Sequence, residues 1–195
     1  MREPVGKLSP ALLAATVQTL RQSGPRQFSL TAVADAAGVS RGTVHNALGT
    51  RERAIEIALE HLTSGFLEAL AVQVQRADSL AGQVAAAAVL ICAHRRQSDA
   101  VSPRGINESI LVLLLRNTGD DLIRQSIDFW KPLIRAAQAR GEVDARLTPA
   151  RAAEWIVRLL FSFELLPPMG VNLDSARAVR RFVSDHIIDG LGGRP

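Results

Sequence analysis

Residues 41–46 read Arg-Gly-Thr-Val-His-Asn, and their types and spacing fit recognition better than catalysis. Val39, Val44 and Leu48 fall on one side of a short helix, which leaves Arg41, Thr43, His45 and Asn46 pointing outward. Arg41 and His45 are four apart and share a face. An outward arginine can donate two hydrogen bonds to a guanine edge, and a threonine can bond a base or meet a thymine methyl. Gly42 removes a side chain from the same face, so the helix can approach a groove floor closely. Ser29 and Ser40, at two helix starts, offer hydroxyls and backbone N–H groups to phosphates. Arg51, in the first turn of the next helix, is placed to reach phosphate as well.

Catalytic readings find little support. The four histidines (His45, His61, His94, His186) lack metal-ligand spacing, and the single cysteine, Cys92, lies mid-helix in an apolar run as a small core residue would. There is no glycine-rich phosphate loop and no Gly-x-Ser-x-Gly elbow. No metal and no cofactor are therefore expected. One cysteine allows no intrachain disulfide, which fits a reducing compartment and a cytoplasmic location. The apolar runs Val84–Ala93 and Ile110–Leu115 are too short to span a bilayer, and Ala11–Val17 lacks a following cleavage site, so neither membrane insertion nor secretion is expected.

Charge points to the same end of the chain as the recognition residues. The net charge is +4. Residues 1–53 hold seven basic groups (Arg2, Lys7, Arg21, Arg26, Arg41, Arg51, Arg53) and three acidic ones (Glu3, Asp35, Glu52). The remainder is balanced, so the whole excess lies in the first quarter, where it suits a polyanion.

The elements that must position these residues are helices. Apolar residues, 47% of the chain, recur at helical spacing, without strand-like alternation. The spacing predicts an all-α fold of about nine helices. Ser9 and Pro10 open the first, which Gly24 and Pro25 end. Ser29 caps Leu30–Ala37, Gly38 supplies a tight turn, and a short helix follows over 41–48. Small residues at Ala34 and Ala37 let these two helices cross closely. Gly49 closes the short helix, and Thr50 caps a long one to about Val74. Further helices are expected over about 80–97, 106–116 and 120–140, with a break at Asn117–Gly119 and a kink at Pro132. Thr148 caps Pro149–Leu166, and Asp174 caps the last helix, to about Asp189.

The stretch from Gly24 to Arg53 resembles the DNA-binding domain of the tetracycline-repressor (TetR) family. The matching residues are Phe28, Leu30, Val33-Ala34, Ala37-Gly38-Val39-Ser40, Arg41-Gly42-Thr43-Val44, Leu48, Thr50 and a basic residue at 51. Thr148–Pro168 is similar to the penultimate helix of many members. Three positions depart from the family: His45 stands where tyrosine is usual, Leu48 where an aromatic is usual, and Arg51 where lysine is usual. The resemblance implies a helix-turn-helix domain over 1–53 and an effector-binding and dimerisation domain over 54–195. It assigns Thr31, Arg41, Gly42, Thr43 and His45 to base or near-base contacts, and Ser29, Ser40, Asn46, Thr50 and Arg51 to phosphates. It implies a homodimeric repressor on a near-palindromic operator in double-stranded DNA.

The rest of the chain permits its own reading. On Pro149–Leu166 the polar residues Arg151, Glu154, Arg158 and Ser162 form one stripe, and most other positions are apolar. Such a helix is buried by more than one partner, and one of them can be a second subunit. Ile156, Leu160 and Phe163 here, with Val179, Phe182 and Val183 on the last helix, are the dimer-interface candidates; a monomeric core helix would show a similar pattern. Candidates for an effector site are Phe66, Leu70, Ile91, His94, Asn107, Ile110, Leu114, Trp130, Ile134 and Trp155. Few polar groups interrupt these helices, so the effector is expected to be small and hydrophobic. The rival readings are an effector-independent or non-specific helix-turn-helix protein and, more remotely, an enzyme.

Overall fold

The structure, a computed structural model, describes residues 8–101 and 110–191. Among them are eight helices and no strand: α1 (Pro10–Gln27), α2 (Leu30–Ala37), α3 (Arg41–Leu48), α4 (Arg51–Gln75), α5 (Leu80–Val101), α6 (Ile110–Ala139), α7 (Pro149–Leu165) and α8 (Ala176–Leu191). The chain divides into two compact units, Met1–Leu67 with Ser98–Glu108, and Glu68–Gln97 with Ser109–Pro195. The expected domain limit at residue 53 falls in the first turn of α4, whereas the division in the structure falls further along that helix.

In the first unit the caps expected at Ser9, Ser29 and Thr50, together with Ser40, set the helix starts. Ser9, Ser29 and Ser40 accept hydrogen bonds from the backbone N–H of Leu12, Ala32 and Thr43 at 3.2, 3.1 and 3.1 Å. Thr50 does the same for Arg53 at 3.2 Å. Gly24 breaks α1 with φ 65°, and Pro25 begins one further turn beyond it. Gly38, at φ 66°, turns the chain between α2 and α3, and the Val39 N–H reaches back to the Ala34 carbonyl at 3.1 Å. Leu12, Leu20, Phe28, Val33, Ala34, Val44, Leu48, Ala54 and Ala58 are buried and hold the helices together.

The second unit is built on a small-residue helix. Val84, Ala85, Ala87 and Ala88 of α5 are buried, as are Trp130, Ile134 and Ala137 of α6 and Ala152, Ala153, Ile156, Val157 and Leu160 of α7. Charged side chains tie helix ends across the unit. The Glu142 carboxylate accepts from the Leu80 N–H at 2.7 Å, which caps α5. Arg95 donates to the carbonyls of Phe163 and Leu166 at 3.1 and 3.0 Å, at the end of α7.

Two expectations are corrected here. Asn117–Gly119 does not break the chain: α6 runs through it. A glycine and an asparagine in a helix cost on the order of 1 kcal/mol each, and Leu115, Leu122 and Phe129, seven apart, continue one apolar stripe across them. This accounts for eight helices instead of nine. The cap of α8 is Ser175, whose hydroxyl accepts from the Ala178 N–H at 3.3 Å; the Asp174 N–H instead donates to the Asn172 side chain at 2.9 Å. Pro132 lies inside α6 without interrupting it.

Candidate nucleic-acid interface

The α3 helix is anchored by one side and open on the other. Val44 and Leu48 are 0% and 1% exposed, so they fix the helix on its unit. Leu48 thus fills the core position that the resemblance gives to an aromatic. Ser40, Arg41, Gly42, Thr43, His45 and Asn46 are all exposed. Among the described residues, the side chains of Arg41, His45 and Asn46 make no hydrogen bond or ion pair. The Thr43 and Ser40 hydroxyls pair at 2.9 Å. On α2 and its cap the candidates are less open: Ser29 and Thr31 are half-buried.

Gly42 is informative because nothing inside the chain requires it. It lies within α3, and a Cβ there would meet the Ser40 hydroxyl at 3.7 Å, an ordinary contact. Packing within the chain therefore leaves room for a side chain at this position in the first turn of α3. Gly38 and Gly49 differ, since φ values of 66° and 73° demand glycine locally.

The serine hydroxyls expected to meet phosphate already accept the N-terminal N–H groups of α2 and α3; Ser29 keeps its own proton to donate, while the Ser40 hydroxyl is also paired with that of Thr43. Thr50 is exposed at the start of α4. Arg51 is different. Its guanidinium turns back on the chain, where Nε donates to the Phe28 carbonyl at 2.9 Å and Nη2 to the Pro25 carbonyl. Sequence spacing gave no signal of this, because the partners lie more than twenty residues away.

The other candidate sets separate. Of the effector candidates, Phe66 belongs to the first unit; Leu70, Trp130 and Ile134 are buried in the second, and Ile91, His94 and Leu114 are half-buried there. Asn107 lies outside the described residues, as does the side chain of Ile110. Trp155 stands on the solvent side of α7, 37% exposed. Of the dimer candidates, Ile156, Leu160, Phe163, Val179 and Val183 are 0–5% exposed within a single chain. These five side chains pack into the core of their own chain. Phe182 alone of the six is half-exposed, packed edge-on against Phe163 with ring centres 6.0 Å apart. Burial raises the pKa of the Cys92 thiol, which disfavours the thiolate a nucleophile needs. Among the described residues no group of three His, Cys, Asp or Glu could hold a metal, and no helix is long and apolar enough to cross a membrane.

Solved structures share this arrangement of helices over nearly the whole chain. A TetR-family transcriptional regulator from Cytophaga hutchinsonii superposes with a TM-score of 0.71 at 15% identity, covering 97% of this chain and 100% of that one. The chain has the fold of the TetR-family transcriptional regulators. Among others with the TetR fold, the regulator FadR from Bacillus subtilis, solved in complex with stearoyl-CoA, matches with a TM-score of 0.66 at 14% identity, over 93% of this chain and 98% of that one. The TetR-family regulator CifR, a cysteine mutant solved with 26-base-pair double-strand operator DNA, matches with a TM-score of 0.63 at 16% identity, over 97% and 100%. No protein-family model matches the chain, and no curated protein matches it by sequence.

Proposed function

We propose that this protein is a TetR-family regulator: a sequence-specific, homodimeric DNA-binding repressor, released from its operator by a small hydrophobic effector. The observation that carries the reading is the unspent polar face of α3, held by Val44 and Leu48 and lacking a side chain at Gly42. Arg41, at the first position of α3, and Thr43 and His45 on its outer side read base edges in a major groove. Ser29, Ser40, Asn46 and Thr50 position the unit on phosphates. Operator DNA bound to CifR, a protein of the same fold, supports this use of the helix-turn-helix.

The second unit supplies the partner and the switch. With Ile156 and Leu160 in the core, the second copy meets the outward side of α7, where Trp155, Leu165 and Leu166 are exposed. Two copies present two recognition helices to a near-palindrome. A hydrophobic effector fits a unit whose inner surfaces are alanine, leucine and valine, and the stearoyl-CoA held by FadR is of that character. Release is a population shift toward a domain arrangement whose half-site spacing no longer matches the operator.

The test is selection of duplexes from a random pool by the purified protein. The reading expects enrichment of a near-palindrome with two half-sites. A pool that stays random after repeated rounds rejects it.

A further inference from the structure

We propose that Arg51 is a positioning residue, which ties the end of α1 to the start of α4 and thereby seats α2 and α3, and that it is not a phosphate contact. The inference rests on the DNA-binding reading and refines which cations meet the nucleic acid. Arg51 Nε donates to the Phe28 carbonyl at 2.9 Å. Its Nη2 donates to the Pro25 carbonyl and, at 3.4 Å, to that of Arg26; its Nη1 donates to Glu52 Oε1 at 3.4 Å. Four of the five N–H donors of the guanidinium are thereby engaged.

The carbonyl partners explain the placement. Pro25, Arg26 and Phe28 form the end and cap of α1, where helix carbonyls lack intrahelical donors and the dipole is negative. For its own helix the arginine is badly placed. Arg51 is the first residue of α4, where the dipole disfavours a cation. The charge is explained by α1 and not by α4.

The corner it grips governs the helix-turn-helix. Gly24 turns it with φ 65°, the Phe28 ring is 2% exposed, and the next residue, Ser29, caps α2. A shift of that corner shifts α2, and α3 is packed on α2. Lysine cannot substitute, because a single ammonium does not span separate carbonyls as a planar fork does.

The test compares Arg51→Ala and Arg51→Lys in the full chain. It uses a random-sequence duplex titrated across salt, the duplex best selected by the unsubstituted protein, and thermal melting. The clamp predicts that both variants bind the selected duplex about tenfold more weakly and melt at least about 3 °C lower. Both should keep the unsubstituted protein's slope of log affinity against log salt. A phosphate contact predicts otherwise: lysine retains binding, while alanine loses about one unit of slope. That outcome overturns the proposal. So does lowered melting with full affinity for the selected duplex, which leaves Arg51 a structural residue only, and so does unchanged melting in both variants. If the alanine variant does not fold, the lysine variant decides between the same outcomes. If the unsubstituted protein binds neither duplex, the DNA-binding reading fails and the positioning role falls with it, while melting still reports whether the clamp exists.

Discussion

Both α3 and α7 bury one side, and they differ in what the other side offers. The outward residues of α3 are polar, and those of Arg41, His45 and Asn46 are unspent among the described residues. On α7 Arg158 donates to Glu154 at 2.6 and 3.0 Å, Arg151 is exposed, and the apolar side chains of Trp155 and Leu165 are exposed on the same helix. An unspent polar surface with excess positive charge suits a hydrated polyanion. A surface with paired charges and an exposed tryptophan suits another protein surface. Exposure alone does not distinguish the two helices; the large apolar side chains that α7 exposes do.

The largest expected effect separates neighbours on α7. Ile156→Ala empties a core position and should cost about 2–5 kcal/mol in urea unfolding. Trp155→Ala should cost far less and instead weaken self-association, read by sedimentation at micromolar concentration. Equal destabilisation by both would mean that the two sides of α7 do not differ as described. On α3, Arg41→Ala should lower the preference for the selected duplex over random DNA by about 1–3 kcal/mol, with melting unchanged. A uniform loss on every duplex would make Arg41 a phosphate contact.

How much of this was legible in sequence depends on range. The caps Ser29, Ser40 and Thr50 and the turn at Gly38 act within a few residues, and each was readable from its neighbours. So was the inward position of Val44 and Leu48, because the period of a short helix separates two faces; Val39, expected on the same side, precedes the helix and is 39% exposed. The side of α7 that is left exposed was not. When apolar residues run nearly all round, periodicity cannot say whether Ile156 or Trp155 faces the chain's own core. The grip of Arg51 on α1 and of Arg95 on the end of α7 depends on tertiary proximity, which leaves no local pattern. The uninterrupted α6 shows that a modest propensity penalty at Gly119 yields to a continuous apolar stripe.

Gly42→Ala sharpens the contrast at smaller scale. Its Cβ has room within the chain, so stability should hold or rise by at most about 1 kcal/mol. Affinity for the selected duplex should fall about tenfold, because the added methyl meets the groove. Loss of stability instead of affinity would locate the role of Gly42 inside the protein.

The smallest effect belongs to pH. Arg140, donating at 2.5 Å, and the Leu80 N–H hold the Glu142 carboxyl below its ordinary pKa. A carboxyl lowered in the folded state binds its proton less readily there than in the unfolded chain. Its stabilisation is therefore complete above the ordinary glutamate value, about 4.3, and is lost as pH falls through the lower folded value. Glu142→Gln should flatten the acid limb of a melting-temperature profile while leaving DNA affinity at neutral pH unchanged. An unaltered acid limb would show that the cap on α5 carries no proton-linked stability.

The central claim, that α3 reads base sequence, is tested most directly by fluorescence anisotropy at one fixed salt concentration. The titrations compare the selected duplex with a scrambled duplex of equal length and composition. Base reading by α3 requires the selected duplex to bind at least about a thousandfold more tightly. Equal affinity for the two would contradict it.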